Sequence, residues 1–248
     1  FFVKRKYEMN QPHDNWSKYY DFVYQNALGD FYDNVTNKTL NVINELLPKG
    51  KVVDYGAGTG RIAIPLKKQG YEVIAVERSS GMASEIKKKC KDYCLDIPVH
   101  NCSISEFSNE EVDLALALYA VLNYSISENE LKRNIVAIYN QLKPRGYLFF
   151  DLLGLWFFKN EEIINVSIDG FSLREWLIQH EGNIYTYHQE GRGVLSGNKF
   201  HFNDEAPIRY WDLQTVNDIF VEIGFEDMQS TFPQLSSESS TYKLYKKL

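Results

Sequence analysis

The chain has 248 residues, 44% hydrophobic and 24% charged, ordinary globular usage that excludes disorder and fibrous repeats. A formal charge of −6 offers no broad attraction to phosphate backbones or anionic lipid, so neither nucleic acid nor a membrane is expected as a partner. No apolar run reaches the roughly 18 residues of a membrane span. Residues 1–6 are too short for a secretory segment, and three cysteines make an odd set for a disulfide framework, so a cytoplasmic protein is expected.

In chain order, Trp16, Tyr19, Tyr20, Val23, Tyr24 and Ala27 recur at helical spacing and predict an amphipathic helix with an aromatic face. From 51 to 152 short apolar runs alternate with charge-studded helical stretches. The runs at 51–55, 71–76, 98–102, 112–118 and 147–152 read as strands, and the stretches at 61–69, 80–92 and 128–142 as helices. Nearly all-apolar strands joined by helices imply a parallel sheet covered on both faces. Beyond 153, alternating segments at 172–179, 184–189 and 199–203 are separated by Gly182-Asn183, Gly191-Arg192-Gly193 and Ser196-Gly197-Asn198, the pattern of an antiparallel insertion. A last helix is expected from its N-cap Asp212 to Gly224, with strands at 225–231 and 241–247 after it.

The most informative segment is Asp54-Tyr55-Gly56-Ala57-Gly58-Thr59-Gly60, where an apolar strand turns into a helix. Gly56 and Gly58 permit backbone angles that side chains forbid and let the main chain approach a ligand, while Gly60 allows tight packing at the helix start. The G-x-G-x-G spacing, with an acid two places before the first glycine, differs from the dinucleotide pattern G-x-G-x-x-G. Asp54 would repel a pyrophosphate and attract a cationic ligand. Glu77 ends the second strand, where a carboxylate accepts both hydroxyls of a ribose. Loop and acid together point to an adenosine site.

In these residues the chain resembles the class I S-adenosylmethionine (SAM)-dependent methyltransferases, in their small-molecule branch, from about Trp16 to the C-terminus. The resemblance implies that the main chain of Gly56, Ala57, Gly58 and Gly60, with Asp54, cradles the methionine part of SAM, and that Glu77 and the adjoining Arg78 meet the adenosine. Leu142-Lys143-Pro144-Arg145-Gly146 is similar to the family's Leu-Lys-Pro-Gly-Gly turn, with Arg145 in place of a glycine, a departure expected to be harmless in a loop. Cys102-Ser103-Ile104 stands where many relatives carry an acid for the adenine amino group. Here Ser103 either accepts that bond or is an ordinary turn serine. Leu118 to Tyr124 follows the fourth strand, where relatives line the methyl-transfer site. Tyr19-Tyr20-Asp21-Phe22-Val23-Tyr24 resembles the family's Tyr-Asp-x-x-Tyr lid, which makes Tyr20 an aromatic cover over the methyl donor, unless the helix merely packs on the sheet.

The expected fold is therefore α/β, a Rossmann-like seven-stranded, mostly parallel sheet with helices on both faces and an antiparallel insertion before the last helix. The expected division is a helical lid at 1–46, the SAM-binding core at 47–153, an insertion over the acceptor at 154–208, and a sheet-completing end at 209–248. Methyl transfer from a sulfonium is an in-line displacement, so alignment in a dry pocket carries most of the catalysis. Tyr119 and Asn123 are candidate orienting groups, and His188 in the insertion is a candidate proton acceptor. Arg174, Trp176 and Arg209 either grip an anionic acceptor or are solvated. Cys90, Cys94, Cys102 and His100 lack a second ligand pair, so no metal is expected. The expected partners are SAM and a small-molecule acceptor, methylated on nitrogen or oxygen by a monomer or homodimer. A non-catalytic SAM- or adenosine-binding regulator and an NAD(P) oxidoreductase are the competing classes, the latter disfavoured by the glycine spacing and Asp54.

Overall fold

The computed structural model describes residues 11–108, 111–160 and 162–248, so the N-terminal end of the expected 1–46 segment lies outside the described residues. A helical turn, Asp14–Tyr19, leads into α1 (Tyr20–Leu28) and α2 (Asp30–Leu46), which Gly29 separates with φ +50°. The core then runs β1 (Lys51–Tyr55), α3 (Ala63–Lys68), β2 (Glu72–Val76), α4 (Ser80–Asp92), β3 (Val99–His100), β4 (Val112–Ala117), α5 (Glu128–Gln141) and β5 (Leu142–Leu153). After a short helix, α6 (Leu155–Lys159), comes a meander of β6 (Glu162–Ile168), β7 (Phe171–Gln179), β8 (Ile184–Leu195) and β9 (Asn198–Arg209). The chain ends with α7 (Leu213–Ile223), β10 (Phe225–Asp227) and β11 (Ser240–Lys247).

The main sheet has seven strands in the order β10-β11-β5-β4-β1-β2-β3. β1 to β5 pair in parallel where they are neighbours, and β11 is antiparallel to both β5 and β10. Successive residues of a strand face opposite sides. Val52, Leu114 and Leu116 accordingly pack with α2, α3 and α4 through Ile43, Leu66 and Ile86, while Val53, Ala115 and Ala117 pack with α5 and α7 through Ile135, Ile138 and Phe220. The chain leaves β1 toward β2 on one side, and β4 lies on the other. That reversal opens a crevice beyond the C-terminal ends of β1 and β4.

The elements of the second half depart from the periodicity in instructive ways. Gly191-Arg192-Gly193, read as a turn, lies inside β8. A Cβ at Gly191 would sit 2.3 Å from the ring of Phe202, and one at Gly193 2.8 Å from Phe200, so these glycines make room for cross-strand aromatics. β8 therefore extends to Leu195, and β6 and α6 appear where no element was expected. β3 and β10 are shorter than expected. The amide of Met228 still donates to the carbonyl of Leu244 at 3.1 Å, after which the chain leaves the sheet. α7 begins and ends as its sequence predicts: Asp212 accepts from the amides of Gln214 and Thr215, and Gly224 closes the helix at φ +113°. Arg145, the non-glycine in the Leu-Lys-Pro turn, takes φ +67°. It adopts the left-handed backbone that favours a glycine there, at a cost of about 1 kcal/mol rather than none.

The meander β6-β7-β8-β9 forms a separate antiparallel sheet whose inner face lies on the N-terminal helices. Trp16, fully buried, stacks flat on Phe202 with ring centroids 4.3 Å apart. Tyr19 stacks on Phe200 at 4.2 Å. Among the described residues no helix is long and apolar enough to cross a membrane.

Candidate active site

The glycine loop is shaped by three different neighbours. Gly56, Gly58 and Gly60 take φ +66°, +57° and +88°. A Cβ at Gly56 would lie 2.4 Å from Val121 and one at Gly60 2.7 Å from Ile64, whereas one at Gly58 would meet nothing within 4 Å. Gly60 thus serves helix packing, as expected. Gly56 spares Val121 rather than a ligand, and Gly58 alone of the three faces open space.

The loop is tied to the end of β2. The amides of Gly56 and Ala57 donate to the carbonyl of Val76 at 2.8 and 3.2 Å. Glu77 Oε2 accepts from the amide of Gly58, and its Oε1 from the amide of Ser79, both at 2.8 Å. Burial pushes the Glu77 carboxyl up, against the pull of these amides. Asp54, 3% exposed, is pushed up to about 7 by burial and by the neighbouring Glu77.

A cavity of about 250 Å³ lies between this loop, the end of β2, the segment after β4 and the N-terminal turn. Of the predicted residues it brings together Tyr20, Gly56, Ala57, Gly58, Glu77, Arg78, Ser103, Ile104, Leu118 and Tyr119. Asp54 and Gly60 stand behind the wall. Ser103 donates its hydroxyl to Glu106 Oε2 at 2.7 Å and so caps the next helical turn, keeping only lone pairs for a ligand.

Two of the three catalytic candidates lie elsewhere. Asn123 is fully buried, donating to the carbonyl of Arg209 at 2.9 Å and accepting from the amide of Leu153 at 3.0 Å. It joins β5 to β9 and does not line the cavity. His188 stacks on Trp176 at 5.0 Å and lies 3.7 Å from Glu205. Alternation along β8 puts it on the face opposite Gln189, away from the cavity, and burial lowers its pKa. Arg174 pairs with Glu162, and Arg209 packs over Trp211 at 4.0 Å and donates to the carbonyl of Ile126 at 3.3 Å, so neither reaches the cavity.

Tyr119 does line it, in an unusual backbone. Tyr119 and Ala120 take φ +64° and +67°, left-handed values that side chains disfavour. The carboxylate of Asp151 holds them there: it accepts from the amide of Tyr119, and from that of Ala120 at 3.1 Å. Burial pushes Asp151 up to about 7 despite those amides.

The sequence analysis passed over His13 and Arg61 and gave Thr59 and Tyr124 no individual role, though all four line the cavity wall. The His13 ring is held between Asp204 Oδ2, 3.2 Å from Nδ1, and Tyr124 Oη, 3.2 Å from Nε2. Asp204 also accepts from the His13 amide at 2.7 Å and the Trp16 indole at 3.2 Å. The N-terminal helices are latched at further points. Asp14 accepts from Ser79 Oγ at 2.6 Å and the Gly81 amide at 2.9 Å; Asp21 accepts from Thr59 Oγ1 at 2.6 Å and pairs with Lys89. Glu175, buried in the meander, accepts from Tyr24 Oη at 2.7 Å, from Gln189 at 2.6 Å and from Tyr187 Oη. Arg61 was detectable, since it follows the glycine loop directly. His13 was not, because its partner lies 191 residues away.

Residues 52–146 match a family model described as a methyltransferase domain. The Geobacillus sp. (strain WCH70) protein GWCH70_2453, a methyltransferase by name, is 26% identical over 56% of this chain and 57% of its own length. The chain thus spans about half the length of the curated relatives it matches. A SAM-dependent methyltransferase from Clostridium acetobutylicum superposes with a TM-score of 0.79 at 18% identity, covering 93% of this chain and 98% of the other. The sugar N-methyltransferase KedS8 from Streptoalloteichus superposes with a TM-score of 0.72 at 18% identity, covering 92% of each. These likenesses extend over more than nine-tenths of the chain and show its fold.

Proposed function

We propose that the chain is a class I SAM-dependent methyltransferase and transfers the methyl group of SAM to a nitrogen or oxygen of a small-molecule acceptor, a reading supported by the methyltransferase-domain match and the likeness in fold. The observation that carries this reading is the joint placement of Gly58, Glu77 and the N-terminal turn around one cavity. SAM supplies an electrophilic methyl on a sulfonium. The residues present fit it: Gly58 has no atom within 4 Å of the place its Cβ would take, so a ligand can lie against the main chain. Glu77 keeps lone pairs for ribose hydroxyls after accepting two amides. Tyr20 covers the cavity from the N-terminal side, so the segment around it acts as a lid that excludes water and favours a cation.

The G-x-G-x-G spacing of the loop, which differs from the dinucleotide pattern G-x-G-x-x-G, disfavours an NAD(P) reading. The likeness to a sugar N-methyltransferase supports a small polar acceptor. The acceptor stands between Tyr119, Tyr124 and the His13 ring. Tyr124, raised by burial, stays protonated and donates to His13 Nε2 when Asp204 holds the proton on Nδ1. A proton leaving a methylated nitrogen or oxygen then reaches His13, rather than His188, only through Tyr124: the phenol oxygen takes it up as it passes its own proton to His13 Nε2.

Calorimetric titration with SAM, S-adenosylhomocysteine and NADH tests the cofactor. Transfer of labelled methyl from SAM to a metabolite pool tests the reaction. Binding of NADH in preference to SAM overturns the first reading; SAM binding without label transfer leaves a non-catalytic SAM binder.

A further inference from the structure

Arg61 follows the glycine loop and reaches the cavity wall as a cation held in a fixed pose. Its guanidinium lies between two phenol rings, 3.8 Å from the centre of Tyr32 and 4.0 Å from that of Tyr119. Nε donates to Thr36 Oγ1 at 2.7 Å and Nη2 to the carbonyl of Tyr32 at 3.0 Å. A guanidinium has five N–H donors, so these contacts leave Nη1 and one hydrogen of Nη2 to point elsewhere. Among the described residues Arg61 has no ion-pair partner; the nearby Asp151 carboxylate is engaged by the amides of Tyr119 and Ala120. The Tyr32 hydroxyl beside it is buried and has no hydrogen-bond partner among the described residues.

The other arginines of the wall belong to different elements. Arg78 adjoins Glu77 and lies over the Tyr124 ring, and Arg133 lies on α5. A cofactor whose ribose is on Glu77 and whose amino-acid tail runs along the loop past Gly58 brings its tail to Thr59 and Arg61. We infer that Arg61 binds the carboxylate of the SAM methionine tail and, through Tyr32 and Thr36 of α2 on one side and Tyr119 on the other, couples cofactor occupancy to the seating of the N-terminal helices. The inference rests on the SAM reading above. It makes Arg61 a specificity-determining residue that reads a carboxylate, and the contacts with both rings, Thr36 and the Tyr32 carbonyl explain how the cation stays oriented before the ligand arrives.

The test compares SAM with decarboxylated SAM, which keeps the sulfonium and the amine and lacks only the carboxylate. Calorimetric titration of the full chain is expected to show SAM binding at least about tenfold tighter than its decarboxylated form. In Arg61→Gln that preference drops below about threefold, while affinity for decarboxylated SAM is retained and so reports that the site is folded. Arg61→Lys, which keeps the charge, retains a larger preference than Arg61→Gln. A wild-type chain that does not discriminate, or an Arg61→Gln variant that loses both ligands equally, overturns the assignment. Failure of the wild type to bind either nucleoside removes the cofactor reading itself, a result distinct from lost selectivity.

Discussion

The amide of Gly58 donates to Oε2 of Glu77 at 2.8 Å, so the one glycine of the loop that faces open space is fastened to the carboxylate at the end of the neighbouring strand. The loop and the acid are therefore one unit. Turn geometry and ribose recognition are set by the same side chain, and the loop conformation is in place before a ligand enters.

Glu77→Ala removes both functions. SAM binding is expected to weaken by about 1–3 kcal/mol through lost sugar contacts and a loosened loop. Glu77→Gln, which can still accept through its one carbonyl oxygen, is expected to lose less. Calorimetry on the two variants checks this, and an unchanged affinity in Glu77→Ala would place the ribose elsewhere.

The glycines separate packing from binding. Gly56→Ala drives a methyl to within 2.4 Å of Val121, so its thermal midpoint is expected to fall well below that of Gly58→Ala, which pays only for a left-handed backbone, about 1 kcal/mol. Gly58→Asp projects a carboxylate into free space, leaving the fold intact and SAM binding abolished. Equal thermal losses at positions 56 and 58 would contradict this division.

The core sheet was legible because its strands are apolar and its helices carry clear stops, so β1, β2 and β4 appear where periodicity puts them, while β5 begins earlier than expected, at Leu142. The glycine loop and Glu77 were legible because their chemistry depends on local spacing. What the sequence could not reveal depended on contacts far along the chain. Gly191 and Gly193 read as a turn until Phe202 and Phe200 lie across from them, and Asn123 reads as a site residue until Arg209 and Leu153 take its amide. His13 gains meaning only when β9 delivers Asp204. The departure at Arg145 was visible, but its left-handed backbone was not.

Asp54 and Asp151, both pushed up to about 7 by burial, bind protons in the folded state that the unfolded chain, with aspartates near 3.9, has already released at intermediate pH. Between about pH 4 and 7 the native state binds more protons, so stability falls as pH rises through that window. The ligand-free protein is expected to melt at a lower temperature at pH 8 than at pH 5.5, and Asp151→Asn, whose oxygen still accepts from Tyr119 and Ala120, is expected to flatten the dependence. A midpoint that climbs steadily from pH 5.5 to 8, in wild type and variant alike, would rule this out.

Asp204 has the opposite sign. The His13 side chain and amide, with the Trp16 indole, hold its carboxyl below the usual aspartate range despite burial. The stabilisation is present above the ordinary aspartate pKa and is lost as pH falls through the lower folded-state value. Because its partners lie on the N-terminal turn and the carboxylate on β9, the energy is local to the lid. Asp204→Ala is expected to speed amide exchange across α1 by roughly tenfold to a hundredfold, the equivalent of losing hydrogen bonds to a charged group, while β1 and β4 exchange as before. Hydrogen-exchange mass spectrometry separates the two regions, and a rise spread evenly over the main sheet would show that Asp204 supports the whole fold and not the lid.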